Sequence, residues 1–121
     1  MNNVVKEKSF LFSVRIVKLC RYLREAKREI VLSRQLLRAG TSIGANIREA
    51  RFAQSTADYV SKLSISLKEG EETAYWLELL HAAGCITKEV FDALSLELDW
   101  LIGTLVNVVK ANKRKLRPKA T

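Results

Sequence analysis

The chain has 121 residues, of which 21 are Lys or Arg and 13 are Asp or Glu, so its formal net charge is +8. This length suits one compact domain, because domains cluster at about 100–150 residues and a second one would lack a core of its own. Hydrophobic residues make up 48% and charged residues 28%, with one proline and five glycines, and this composition excludes disordered, linker-dominated and collagen-like chains.

The first predicted helix covers about residues 5–28. Its apolar residues recur at steps of four and three, the period of one helix face, at Phe12, Ile16, Leu19, Leu23 and Ala26. Basic residues fill the opposite side of the same segment. The pattern therefore predicts an amphipathic helix with a basic outer face.

The second predicted helix, over about residues 30–53, contains the ambiguous run AGTSIGAN. Gly40 could end one helix, with Thr41 or Ser42 capping the next. However, the apolar stripe keeps its phase through Gly40, whereas a chain reversal would normally reset it. We therefore predict one continuous helix. Gly40 and Gly44 each cost about 1 kcal/mol relative to alanine there, and the close approach of a neighbouring helix would offset that cost.

Capping signals delimit the last two predicted helices. Ser55, with Asp58 three positions on, resembles a capping box and starts a third helix over about 56–82. Ala83-Gly84 is typical of a helix stop, and Thr87 is typical of the next N-cap. The fourth helix runs to about residue 114 with a seven-residue apolar repeat, formed by Phe91, Leu94, Leu98, Leu101, Leu105 and Val108.

Four helices of ~24 residues, each about 36 Å long, use nearly the whole chain and leave short connections. Short connections make consecutive helices antiparallel. The sequence therefore predicts an all-α fold, an up-down-up-down antiparallel four-helix bundle. Residues 1–115 are expected to form this single domain, and residues 116–121 a basic C-terminal tail.

Cysteine content and hydropathy favour a cytoplasmic location. Cys20 and Cys85 are the two cysteines, and they form neither a C-x-x-C motif nor a dense disulfide framework. The longest uncharged run has ten residues, 100–109, about half of the ~20 that a membrane-spanning helix needs. The N-terminus lacks a small-residue cleavage site typical of signal peptides.

Two runs of sequence resemble a known family. SRQLLRAGTSIGANIREARFAQS (33–55) and KLSISLKEGEETAYWLELL (62–80) are similar to the signatures of four-helix-bundle proteins encoded by intervening sequences of bacterial 23S rRNA genes. The resemblance extends over residues 8–115, with Ala39 and Gly70 as departures. It implies a ring-like homo-oligomer, a pentamer. A more distant similarity to accessory proteins of diversity-generating retroelements implies association with a reverse transcriptase and nucleic acid.

No constellation of catalytic residues emerges from the sequence. Glu78 and His81 match half of a di-iron Glu-x-x-His site, but His81 is the one histidine, so only a symmetric subunit contact could complete a metal site. No G-x-S-x-G, P-loop or H-E-x-x-H motif occurs. The acidic group Glu69, Glu71 and Glu72 fits a solvated helix face. We therefore expect no enzyme activity, no metal or other cofactor and no small-molecule substrate.

Charge is distributed unevenly along the chain. Residues 1–52 hold 12 basic and 4 acidic side chains, residues 53–103 hold 3 and 9, and residues 104–121 hold 6 and none. Such segregation suits nucleic-acid binding by release of phosphate counterions, and equally the docking of a basic face on the acidic face of another subunit. The candidate nucleic-acid contacts are Arg34, Arg38, Arg48, Arg51, Lys110, Lys113, Arg114, Lys115 and Arg117, with Lys119 in the same basic cluster.

Tryptophan placement suggests a subunit interface. Trp76 lies off the apolar stripe of the third helix, so it either anchors an interface, which we favour, or widens the core face. Trp100 is expected at the edge of the core.

The sequence thus predicts a non-enzymatic oligomer that binds structured RNA, or another nucleic acid, through a basic surface. The alternative is a structural adaptor for a protein partner, with the charge segregation used for assembly.

Overall fold

The four apolar stripes become four helices in a computed structural model, which describes residues 3–118. The helices are α1 (Asn3–Glu25), α2 (Val31–Ala50), α3 (Thr56–Ala82) and α4 (Lys88–Leu116), and the described residues contain no strand. Each helix packs against its neighbours in sequence, and α1 also contacts α4, more sparsely, which closes the bundle. The predicted all-α, up-down-up-down four-helix bundle is confirmed.

The core lies between the helices and takes one stripe from each of them. The largest fully buried side chains are Phe12, Ile16, Leu23, Leu36, Ile43, Ile47, Leu63, Leu77, Leu80, Leu98, Leu101 and Leu105. Full burial of a large apolar side chain contributes about 1.5–3 kcal/mol to the free energy of unfolding, so this core is the main stabilising feature of the fold. Within residues 3–118, every helix falls short of the apolar length that crossing a membrane requires.

Local capping fixes the ends of α3 and the start of α4, as predicted. The Ser55 and Thr87 hydroxyls each accept a hydrogen bond from the backbone amide three residues later, at 3.0 and 3.2 Å. Gly84 has a φ of +78°, a left-handed conformation that glycine adopts without strain, and its amide donates to the His81 carbonyl at 3.0 Å. Consequently α3 covers the residues predicted for it, 56–82.

The connection between α1 and α2 is longer than predicted. α1 ends at Glu25 instead of near residue 28, because the chain turns through Arg28 with a φ of +58°. Glu29 then supports the start of α2, since its carboxylate accepts a hydrogen bond from the Leu32 amide at 2.8 Å. Smaller corrections apply at the far ends: α2 stops at Ala50, and α4 continues to Leu116.

α2 is continuous through Gly40 and Gly44, as predicted. A Cβ atom added to Gly40 would lie 2.8 Å from Cγ2 of Ile16, and one added to Gly44 would lie 3.3 Å from the carbonyl oxygen of Ser9. Both distances are shorter than ordinary van der Waals contacts. The two glycines therefore allow α1 and α2 to approach closely, which is the compensation expected for placing them inside a helix.

Small residues also let α3 pack against its two neighbours. The Ser66 side chain is fully buried, and its hydroxyl donates a hydrogen bond to the Ile43 carbonyl of α2 at 2.8 Å. On the α4 side, a Cβ atom added to Gly70 would lie 3.1 Å from Cγ1 of Ile102. Gly70 thus lies at a close helix contact, and α3 runs through it without interruption.

The two free thiols provide a test of core burial. Cys20 is 3% exposed, and burial raises the pKa of its thiol to about 11, whereas Cys85 is half-buried. Since the thiolate is the reactive species, we expect an alkylating reagent at about pH 8 to label Cys85 at least about tenfold faster than Cys20. Mass spectrometry of timed samples measures both rates. Fast labelling that persists in a Cys85→Ser variant would contradict the burial of Cys20.

Candidate nucleic-acid interface

The candidate basic residues of α2 do not form one continuous surface. At about 1.5 Å per residue, Arg34 and Arg51 lie roughly 25 Å apart along the bundle. Arg34 lies near the start of α2, where it lines a small pocket together with Arg21 and Arg24 of α1. Arg48 and Arg51 lie at the other end of α2, which is also the end of the bundle at which α4 terminates. The predicted arginine stripe therefore divides between the two ends of the molecule.

The densest positive charge lies at the C-terminal end of α4. Val109 is the last buried residue of α4, and the helix continues to Leu116 beyond the core. Exposed basic side chains occupy this extension and the residue after it: Lys110, Lys113, Arg114, Lys115 and Arg117. None of the carboxylates in the described residues forms an ion pair with them. We refer to these five residues with Arg48 and Arg51 as the basic end; Lys119 lies outside the described residues.

A cleft of about 670 Å³ opens at the basic end. Three cationic side chains line it, Lys6 of α1, Arg51 after α2 and Lys115 of α4, and the lining contains no Asp or Glu. Its apolar part comes from Ile47, Ala50 and Val108, beside the ring of Tyr59. We refer to this site as the basic-end cleft. Its combination of cationic and apolar groups without a carboxylate suits an anionic ligand that also carries an apolar group.

Arg38 differs from the other candidate contacts because its guanidinium already binds carboxylates. Its Nη1 donates to Glu69 Oε2 at 3.1 Å, and its Nη2 donates to Glu72 Oε1. These ion pairs lie at the surface: Glu69 and Glu72 are half-buried and paired with Arg38, whereas Glu71 is exposed, so the acidic face is partly neutralised. Because both ends of the guanidinium are occupied, Arg38 has less capacity to bind phosphate than the free arginines.

Trp76 belongs to the same network of polar contacts. Its indole N–H donates to Glu72 Oε1 at 3.2 Å, while the ring is partly buried against the core and meets Tyr75 edge-on at 5.0 Å between centroids. Its predicted role at a subunit interface stays a prediction. Trp100, expected at the core edge, is 40% exposed, and Lys8 Nζ lies 4.6 Å from its ring centroid.

The Glu-x-x-His pair lies away from the basic end. His81 stacks on Phe91 with 4.6 Å between ring centroids, and Glu78 is exposed. In the part of the chain that the structure describes, no group of three or more His, Cys, Asp and Glu side chains is arranged to hold a metal ion. The basic end, with its exposed basic side chains, is therefore the candidate functional site on the described surface.

The basic-end cleft also contains residues that the sequence reasoning missed. Lys6 and Tyr59 lie one turn into α1 and α3, and neither belongs to a charge run or a motif. In an antiparallel bundle, the starts of the first and third helices meet the ends of the second and fourth. This topological rule, applied to the predicted helices, would have brought Lys6 and Tyr59 to the basic end.

Comparison with known proteins connects this bundle to a family. Residues 1–107 match the family model described as 23S rRNA-intervening sequence protein. The chain is also similar to the crystal structure of a protein with unknown function from the S23 ribosomal protein family from Bacteroides thetaiotaomicron VPI-5482. The two share 50% sequence identity over 89% of this chain and 96% of that chain, with a TM-score of 0.88. A search of curated proteins found no match. On the strength of the family model and the related structure, this chain belongs to the 23S rRNA-intervening sequence protein family.

Proposed function

We propose that the protein is a non-enzymatic nucleic-acid-binding protein, and that the basic end binds the phosphates of structured RNA. The unpaired cations of the α4 extension support this proposal. A lysine or arginine that is free of a carboxylate can neutralise a phosphate and release its counterion, which is the main source of affinity for nucleic acid. The family description also refers to an RNA gene, although it names no ligand.

The geometry of α4 suits contact with several phosphates at once. Lys110, Lys113 and Arg114 follow the spacing i, i+3, i+4, so they lie on one side of α4, and Arg117, directly after the helix, extends the cluster to about 10 Å. Arg48 and Arg51 add guanidinium groups, which can bind phosphate through two hydrogen bonds. The Arg48 guanidinium lies 5.8 Å from the Phe10 ring centroid, a contact that leaves its N–H groups available.

Titration of the full-length protein with a fluorescent structured RNA at several salt concentrations tests this function. We expect log affinity to fall linearly with log salt, by about 0.7–0.9 for each phosphate contact. The same titration with duplex DNA of equal length shows whether RNA is preferred. Absence of binding, or an affinity that salt leaves unchanged, would remove the proposed function.

Self-association is a second proposal, favoured by apolar side chains that α1 and α4 expose. Leu11 and Leu96 are 54% and 74% exposed, and Leu11 lines a groove between the two helices together with Trp100. Exposed apolar side chains that lie next to one another, as Leu11 and Trp100 do in this groove, are typical of interaction surfaces. The adaptor alternative uses the same surface, with a different protein in place of a second copy. A pentamer, implied by family resemblance, stays a prediction.

Sedimentation velocity tests self-association. We expect the wild-type protein to sediment as a species heavier than the 13.7 kDa chain, and the double variant Leu11→Gln, Trp100→Gln to shift toward that monomer. Phe52→Gln is the matched control, because Phe52 is exposed in a different part of the molecule. Trp76→Phe, measured in parallel, tests the predicted interface role of Trp76. A wild-type monomer at all accessible concentrations would contradict the proposal.

A further inference from the structure

We propose that the basic-end cleft holds one unpaired nucleotide of the bound nucleic-acid strand. This inference rests on the proposed function and adds what the protein selects: a strand end, bulge or loop in preference to a continuous duplex.

The dimensions of the cleft suit a ligand of this size. Its volume of about 670 Å³ falls within the range of about 300–1,000 Å³ typical of small-molecule sites. All four helices or their flanking residues contribute to the lining. The cleft is open to solvent on one side, so a nucleotide that is free of its pairing partner can enter it, whereas a base that is paired and stacked within a duplex does not present its face to the cleft.

The charges of the cleft suit the phosphate of that nucleotide. Lys6, Arg51 and Lys115 come from three separate parts of the chain, and no carboxylate in residues 3–118 forms an ion pair with any of them. Ser55 and Thr56, at the start of α3, lie in the same lining. The carboxylate of Asp58 also lies in the first turn of α3 and accepts a hydrogen bond from the Gln54 amide at 3.2 Å, so the attraction for an anion comes from the three cations and not from the helix N-terminus.

The remaining groups of the cleft suit a base. Tyr59 packs partly against the core and lines the cleft beside apolar side chains, so the part of it that faces the cleft can contact a base; among the described residues its hydroxyl has no hydrogen-bond partner. A tyrosine hydroxyl is protonated at neutral pH, and burial raises the pKa of this one further, so it can donate a hydrogen bond. Asn112 donates its Nδ2 to the Val108 carbonyl at 2.8 Å, which leaves its Oδ1 available as an acceptor. A base edge with both donors and acceptors would find partners in these groups.

Two RNA hairpins test the inference; each is closed by a non-nucleotide linker, so that neither has loop nucleotides, and they differ only at their open ends. One hairpin is blunt, and the other carries three unpaired nucleotides at its 3′ end. We expect the wild-type protein to bind the extended hairpin about tenfold more tightly at equal salt, because one stacked base adds to the phosphate contacts. Tyr59→Leu should lose most of this preference and keep its affinity for the blunt hairpin, since the substitution changes no charge.

Controls separate the cleft from the rest of the basic end. Tyr75→Leu removes an exposed tyrosine from the same helix, outside the cleft, and should keep the full preference. Lys6→Gln, a substitution at a partly exposed position, should reduce the preference and provides a second test if Tyr59→Leu lowers stability, which thermal unfolding by circular dichroism would reveal. Adenosine monophosphate should compete only weakly with the extended hairpin.

Each contrary outcome has a definite meaning. Equal, salt-dependent binding of the two hairpins by the wild-type protein would overturn the cleft inference and leave the proposed function intact. A preference that survives in both Tyr59→Leu and Lys6→Gln would also overturn it, as would competition by the mononucleotide as strong as that of the extended hairpin. No binding of either hairpin would overturn the proposed function together with the inference.

Discussion

Replacing Lys110, Lys113, Arg114 and Arg117 with glutamine should lower the affinity for a structured RNA on the order of 100-fold at about 100 mM salt. It should also reduce the slope of log affinity against log salt by about 3, because each lost phosphate contact removes about 0.7–0.9. These four side chains are exposed beyond the core, so the substitutions should leave the free energy of unfolding nearly unchanged. Fluorescence anisotropy across a salt series measures both quantities.

The matched control removes the same amount of charge from the opposite part of the bundle. Lys18, Arg21, Arg24 and Lys27 are exposed on and after α1, and no described carboxylate forms an ion pair with them. They lie farther from the basic end than the Debye length, about 10 Å at this salt, so their replacement by glutamine should change the affinity less than about threefold. Equal losses in the two variants would show that net charge, and not the basic end, determines binding.

Gly40→Val should destabilise the bundle by about 3 kcal/mol through overpacking. The added Cβ would lie 2.8 Å from Cγ2 of Ile16, which is fully buried and branched at its own Cβ, so neither side chain can move aside without a shift of α1 or α2. The gain in helix propensity over glycine is only a few tenths of a kcal/mol for valine and does not offset this cost. Chemical denaturation followed by circular dichroism measures the loss.

Gly103→Val is the corresponding control. Gly103 lies in α4 with no atom within 4 Å of an added Cβ, so the same substitution should leave the free energy of unfolding within about 0.5 kcal/mol of wild type. If Gly40→Val is as well tolerated as Gly103→Val, α1 and α2 do not require the close approach seen at Gly40. Close approach of the two helices would then not explain the glycine in the middle of α2.

Helix ends were predictable where a residue marks them locally. Ser55, Thr87 and Gly84 mark both ends of α3 and the start of α4 by side-chain capping or by a positive φ, and these three boundaries were predicted correctly. The end of α1 carries no such signal, because Arg28 takes a left-handed conformation that its residue type does not favour. Apolar periodicity alone therefore extended α1 past its true end.

The candidate site was only partly predictable, because periodicity places a residue on a helix but does not identify its neighbours on other helices. The cationic α4 extension was evident from composition, since residues 104–121 contain no acidic side chain. The pairing of Arg38 with Glu69 and Glu72 joins residues 31 and 34 positions apart, and nothing in the local sequence indicates it. The basic-end cleft likewise depends on four chain segments that meet only in the folded bundle.

Lysine footprinting in the presence of RNA tests the location of the interface most directly. If the basic end binds the nucleic acid, an amine-reactive reagent should label Lys6, Lys113 and Lys115 several-fold more slowly when RNA is bound. Lys18 and Lys27, on and after α1 toward the opposite end, should keep their rates of labelling. Protection of Lys18 and Lys27, with unchanged labelling of Lys113 and Lys115, would contradict binding at the basic end.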